Sequence, residues 1–131
     1  MSYRWVDHTA EVELEIEAAS ERAVLGEAVR AVAELLGLQR PSGQERRTVA
    51  VEAGDRPALL AGWIEELAFL AESEGFVAGR LLDVELASNG LRATVAGTIG
   101  EPPPLIKAVT YHRLAFERRG DGYVARVVLD V

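Results

Sequence analysis

The sequence has no cysteine, which removes disulfides, thiolate metal sites and thiol catalysis at once. No apolar run approaches the roughly 20 residues of a membrane span. No secretory leader is visible either: the N-terminus is polar, and Glu11, Glu13, Glu15 and Glu17 follow at once. A cytoplasmic protein with no membrane partner is expected. Positive charge is scarce, with 14 Lys and Arg against 21 Asp and Glu and a net charge of −7. Only Arg40, Arg46 and Arg47 resemble a basic cluster, and no aromatics interleave with them. Nucleic-acid affinity comes mostly from phosphate neutralisation by clustered Lys and Arg, so direct, tight binding of RNA or DNA is not expected. Phosphate loops, the dinucleotide fingerprint and the Gly-x-Ser-x-Gly elbow are missing as well.

What is present is the balance of an ordinary globular protein, 49% hydrophobic and 27% charged over 131 residues. That length makes one domain with its own core, and no repeat or low-complexity linker divides it. Tyr3 to Asp7 is a short strand candidate. Val12, Leu14, Ile16 and Ala18 alternate with Glu11, Glu13, Glu15 and Glu17, the pattern of a strand with one wet face. Ser20 offers an N-cap and Gly37 a stop. Between them Val24, Leu25, Ala28, Val29, Val32, Leu35 and Leu36 recur at helical spacing.

Residues 39–43 read as a loop and Arg47 to Ala53 as a strand. A second helix is capped by Asp55, tolerates Pro57 in its first turn and closes at Gly75. Its buried stripe is Leu60, Trp63, Ile64, Leu67, Leu70 and Ala71. Strands over 79–88 and 91–99 are joined by Asn89-Gly90, a strong hairpin signal. Gly100 to Pro104 is a stiff irregular connection. A last hairpin pairs 109–118 with 123–131 through Gly120-Asp121-Gly122. The fold class is α+β: a mostly antiparallel sheet of hairpins with two amphipathic helices packed on it, in a single domain spanning 1–131.

Three carboxyl groups would meet if the chain ends were neighbours: Glu11, Asp130 and the terminal carboxylate of Val131. Hard divalent cations favour such oxygen-only ligands. The plainer alternative makes Glu11 one more solvated acid and pairs Asp130 with Arg126. No catalytic constellation stands out. His8 and His112 lie near strand ends, where hydrogen-bonding structural roles are common. Glu65 and Glu66 suit a solvated helix face, and Lys107 an exposed position beside the Pro-rich segment.

Asp7-His8-Thr9-Ala10-Glu11, the helix after Ala18, Leu59-Leu60 to Glu66-Leu67, Lys107-Ala108-Val109-Thr110-Tyr111-His112 and Leu129-Asp130-Val131 together resemble the archease family. The likeness runs along essentially the whole chain in the right order. It implies a non-enzymatic cytoplasmic cofactor of the RtcB-type RNA ligase of tRNA splicing and RNA repair. Such a cofactor promotes guanylylation and multiple turnover of the ligase and broadens the nucleoside triphosphates it accepts. It also implies a bound divalent cation, Ca²⁺ first with Mg²⁺ or Mn²⁺ as alternatives, held by Glu11, Asp130 and Val131. Lys107 and Glu66 are implied in activation, with Asp7, His8 and His112 from the same motifs. The family usually carries Asp where Glu11 stands, so this ligand reaches by an arm one methylene longer. The competing expectation is a chaperone-like modulator of RNA-modifying enzymes such as a tRNA methyltransferase.

Overall fold

The computed structural model describes residues 1–8, 11–37, 43–100 and 106–131. Thr9, Ala10, most of the 39–43 loop and nearly all of the Pro-rich segment thus lie outside the described residues. The elements follow in the order β1 (Ser2–His8), β2 (Glu11–Ala18), α1 (Glu21–Leu35), β3 (Glu45–Glu52), α2 (Arg56–Glu74), β4 (Phe76–Ala87), β5 (Gly90–Ile99), β6 (Ala108–Arg119) and β7 (Gly122–Asp130). The strands form two antiparallel sheets. One has the order β1-β2-β7-β6 and the other β3-β5-β4. Each helix packs against strands of both sheets, which joins them through one core. Among the described residues no helix is long and apolar enough to cross a membrane.

Both helices start where their side chains supply an acceptor for a free N–H. Ser20 Oγ accepts from Ala23 at 3.1 Å, and Asp55 Oδ1 accepts from Ala58 at 2.8 Å. They stop at glycines with left-handed backbone: Gly37 at φ 89° follows α1, and Gly75 at φ 67° caps α2. All six residues of the expected α2 stripe are buried. Trp63, fully buried, donates from its indole Nε1 to the Leu25 carbonyl of α1 at 3.1 Å, so the largest core side chain keeps its one polar atom satisfied. Tyr3, on the helix-facing side of β1, donates its hydroxyl to Glu34 of α1. Burial, reinforced by that carboxylate, pushes the Tyr3 phenol up from 10 to about 12.

The Asn89-Gly90 hairpin forms one residue out of the expected register. Ala87 pairs with Gly90, so Ser88 and Asn89 make the turn and Gly90 already belongs to β5. The glycine serves close packing rather than turn geometry. Gly90 also pairs with Glu52 of β3, and a Cβ there would lie 2.5 Å from the Val51 carbonyl oxygen. The last hairpin turns on Gly120 and Asp121 alone, with Gly122 inside β7.

Candidate functional site

Strand register brings the two ends of the sequence together. Glu11 lies directly opposite Asp130 in the β2–β7 ladder, and Asp130 lies opposite Ala108 of β6. His8 is the backbone partner of Glu11 in the β1–β2 ladder. One rung across the four-stranded sheet therefore carries residues from both sequence motifs and from the last strand. Val12 and Leu129, the next rung, point into the core, so by alternation Glu11 and Asp130 share the sheet's outer face. Both are partly exposed. Directly opposed residues on one face bring their Cβ atoms within about 4.5–5.5 Å, and like charges placed so repel.

Lys107 is the only lysine of the sequence and is exposed. Its backbone N–H donates to the Asp130 carbonyl at 2.7 Å, which seats it one position before Ala108, the residue opposite Asp130. Glu66 is exposed on α2, a helix packed against β6. Among the described residues no hydrogen bond or ion pair links Glu66 to the acid pair. Asp7 and His8 occupy the last two positions of β1.

The next outer-face rung contains what the sequence concealed. It carries Val6, Glu13, Val128 and Thr110. Glu13 was expected on a wet face with its neighbours, yet it is 3% exposed; Val128 is equally sealed. Over Glu13 the cover includes β6, whose Arg113 reaches it. Between Thr110 and Ala115 β6 takes five steps while β7 takes only two, from Val128 to Arg126. The excursion turns through Arg113, the one non-glycine residue with positive φ (60°) among those described.

Arg113 Nε donates to Glu13 Oε1 at 2.8 Å. Arg126 Nε donates to the Arg113 carbonyl at 2.8 Å and stands 3.9 Å from the same Glu13 oxygen. Arg126 is thus committed here, and the expected Asp130–Arg126 pair does not form. Thr110 Oγ1 is buried without a hydrogen-bond partner where β6 leaves the ladder. Tyr111, 63% exposed, and His112, also exposed, ride on the excursion. A parity change was the available signal for it: core-facing positions are odd at Val109 and even at Phe116.

Among the described residues no cluster of three or more His, Asp or Glu side chains converges. A cation at this rung would complete its shell from main-chain oxygens and water. The Asp130 carbonyl already accepts from Lys107, which leaves the oxygens of Val131 as the adjacent donors. Two opposed carboxylates with main-chain oxygen are chemically suited to a hard divalent ion.

The profile of the Archease protein family (MTH1598/TM1083) matches residues 3–131. Among similar proteins, the protein archease of Thermococcus gammatolerans is 33% identical, with 98% of this chain and 99% of that one covered. That of Archaeoglobus fulgidus is 30% identical over the full length of both. The solution structure of Methanobacterium thermoautotrophicum protein 1598 superposes with a TM-score of 0.68 at 23% identity, covering 98% of each chain. A Thermotoga maritima crystal structure, described as an archease and possible chaperone, gives 0.66 at 23% identity over 96% of this chain and 94% of that one. With its sequence matched from end to end and its two-sheet architecture shared, this chain belongs to the archease family.

Proposed function

We propose that the protein is a non-enzymatic cytoplasmic cofactor of an RtcB-type RNA ligase, acting through a divalent cation held by Glu11, Asp130 and Val131. The cation is Ca²⁺ foremost, with Mg²⁺ or Mn²⁺ as alternatives. The observation that carries this reading is the direct opposition of Glu11 and Asp130, with Lys107 tied to the Asp130 carbonyl at 2.7 Å. Opposed acids on one sheet face repel unless a cation lies between them, and a lone lysine beside them supplies the charge to meet a phosphate. When bound, the cation supplies electrostatic stabilisation to a triphosphate in the partner's nucleotide site. Glu11 and Asp130 orient it, and Lys107 neutralises phosphate charge as guanylyl transfer proceeds. Glu66 and His112, with Asp7 and His8 of the first motif, take part in activating the ligase. An acidic protein of net charge −7 is drawn to a basic partner faster than a neutral one. In this role the protein promotes ligase guanylylation and repeated turnover, and widens the nucleoside triphosphates the ligase uses in tRNA splicing and RNA repair.

The test is multiple-turnover RNA ligation and guanylylation by the same organism's ligase, with substoichiometric protein and each divalent metal. Stimulation that disappears in Asp130→Ala and Lys107→Met supports the reading. The alternative is a chaperone-like modulator of RNA-modifying enzymes such as a tRNA methyltransferase. It would draw instead on exposed apolar side chains such as Phe69 and Ile99 and would be indifferent to both substitutions.

A further inference from the structure

We infer that Glu13 and Arg113 are a positioning pair that fixes the β6 excursion, so that Tyr111 and His112 form a rigid partner-contacting knob beside the Glu11–Asp130 rung. The inference rests on the reading of that rung as the partner-facing site. Three separate features point to an excursion that is held. The Glu13 side chain is 4% exposed and its Oε1 receives Arg113 Nε at 2.8 Å; a carboxylate in such a place is stable only while paired. Arg113 adopts φ 60°, a conformation costly for a non-glycine residue unless its surroundings enforce it. Val128, on the outer face and outside the main core, is sealed to 2% exposure beside the point where β6 leaves the ladder.

Arg126 adds a second tie by donating to the Arg113 carbonyl at 2.8 Å. Held at both its side chain and its carbonyl, Arg113 anchors a segment that exposes Tyr111 and His112 while Leu114 packs back on the core. Tyr111 is 63% exposed. An aromatic side chain presented at fixed geometry binds partners with little loss of conformational freedom, which is why such residues dominate interface energetics. Thr110 starts the excursion one rung from Asp130 on the same face, so knob and acid rung form one continuous surface. The occupant is the ligase whose nucleotide site meets the acid rung.

The experiment compares wild type with Glu13→Gln, Arg113→Ala, Arg113→Lys and Tyr111→Ala in three measurements on the full chain. Hydrogen exchange follows residues 110–115, calorimetry follows Ca²⁺ alone, and ligation assays give the protein concentration for half-maximal stimulation. Glu13→Gln and Arg113→Ala speed exchange of 110–115 by about tenfold or more, while the β3-β5-β4 sheet exchanges as before. Ca²⁺ affinity stays within about threefold, since no proposed ligand is touched. Half-maximal stimulation shifts upward about tenfold in both, and in Tyr111→Ala without any change in exchange. Arg113→Lys recovers part of each effect. Unchanged exchange in Glu13→Gln and Arg113→Ala would overturn the positioning role. Normal stimulation by Tyr111→Ala would overturn the knob. Failure of wild type itself to stimulate removes the ligase reading and the knob with it, whereas exchange still decides the positioning pair.

Discussion

Glu11 and Asp130 face each other across the β2–β7 ladder, although nearly the whole sequence separates them. Their carboxylates oppose like charge to like charge on the outer face of the sheet. Like charges so placed cost a little stability, and the cation proposed above would relieve that cost, which fixes the sign of two effects.

Asp130→Asn should leave the apo protein as stable as wild type or slightly more so, by a few tenths of a kcal/mol, about the size of a cross-strand charge pair. In Ca²⁺ the order reverses. A ligand at about 100 times its Kd adds about 2.7 kcal/mol to the protein that binds it, and the variant should gain little of that. Thermal melts with Ca²⁺ and with chelator check both halves. Equal Ca²⁺ stabilisation of wild type and variant would remove Asp130 from the ligand set.

Tyr3 gives a dependence on alkaline pH. Its folded phenol titrates at about 12 against an ordinary value of 10.0, so the folded state favours the protonated form. The stabilisation is complete below pH 10 and is lost as pH rises toward 12, because the phenolate would face Glu34 in a partly buried position. The difference in stability between wild type and Tyr3→Phe should therefore hold steady up to pH 10 and shrink above it. Denaturant melts across that range measure it, and a difference that stays constant to pH 12 would contradict the assignment.

Gly90→Ala should destabilise by about 1–3 kcal/mol, because its methyl would press on the Val51 carbonyl between two strands. Asn89→Ala, in the exposed turn, should cost much less. The reverse ranking in urea denaturation would place the importance of this dipeptide in the turn.

Periodicity made much of this fold legible. The α2 stripe from Leu60 to Ala71 is buried throughout, and Ser20, Asp55 and Gly75 cap their helices because local hydrogen bonding alone decides those positions. The Glu11–Asp130 rung was legible as a conditional expectation, since acids at the two ends of the sequence would meet if those ends were neighbours, with a solvated Glu11 and an Asp130–Arg126 pair as the plainer alternative. The division of the described strands into two sheets was not, because alternation within a strand carries no record of its partners. Glu13 was misread for a related reason. Its parity assigns it correctly to the outer face, but the cover over that face comes from an excursion a hundred residues away. Glu27 of α1, 6% exposed and bonded to Arg30 at 3.2 Å, is another acid whose burial is a tertiary matter. The Asn89-Gly90 turn slipped by one residue because packing against β3 claimed the glycine.

β7 is an interior strand of its sheet, flanked by β2 and β6, and it is also the last element in chain order. β2 therefore keeps one long edge unpaired until β7 has formed, and β6 has no place in the sheet until β7 lies between them. Such closure over long sequence separation makes assembly slow relative to helix formation. It also means that Glu11 meets its opposing acid only when the sheet is whole. For the cation proposed above, the two opposed acids exist as a pair only once β7 has joined β2, so its affinity would belong to the assembled sheet.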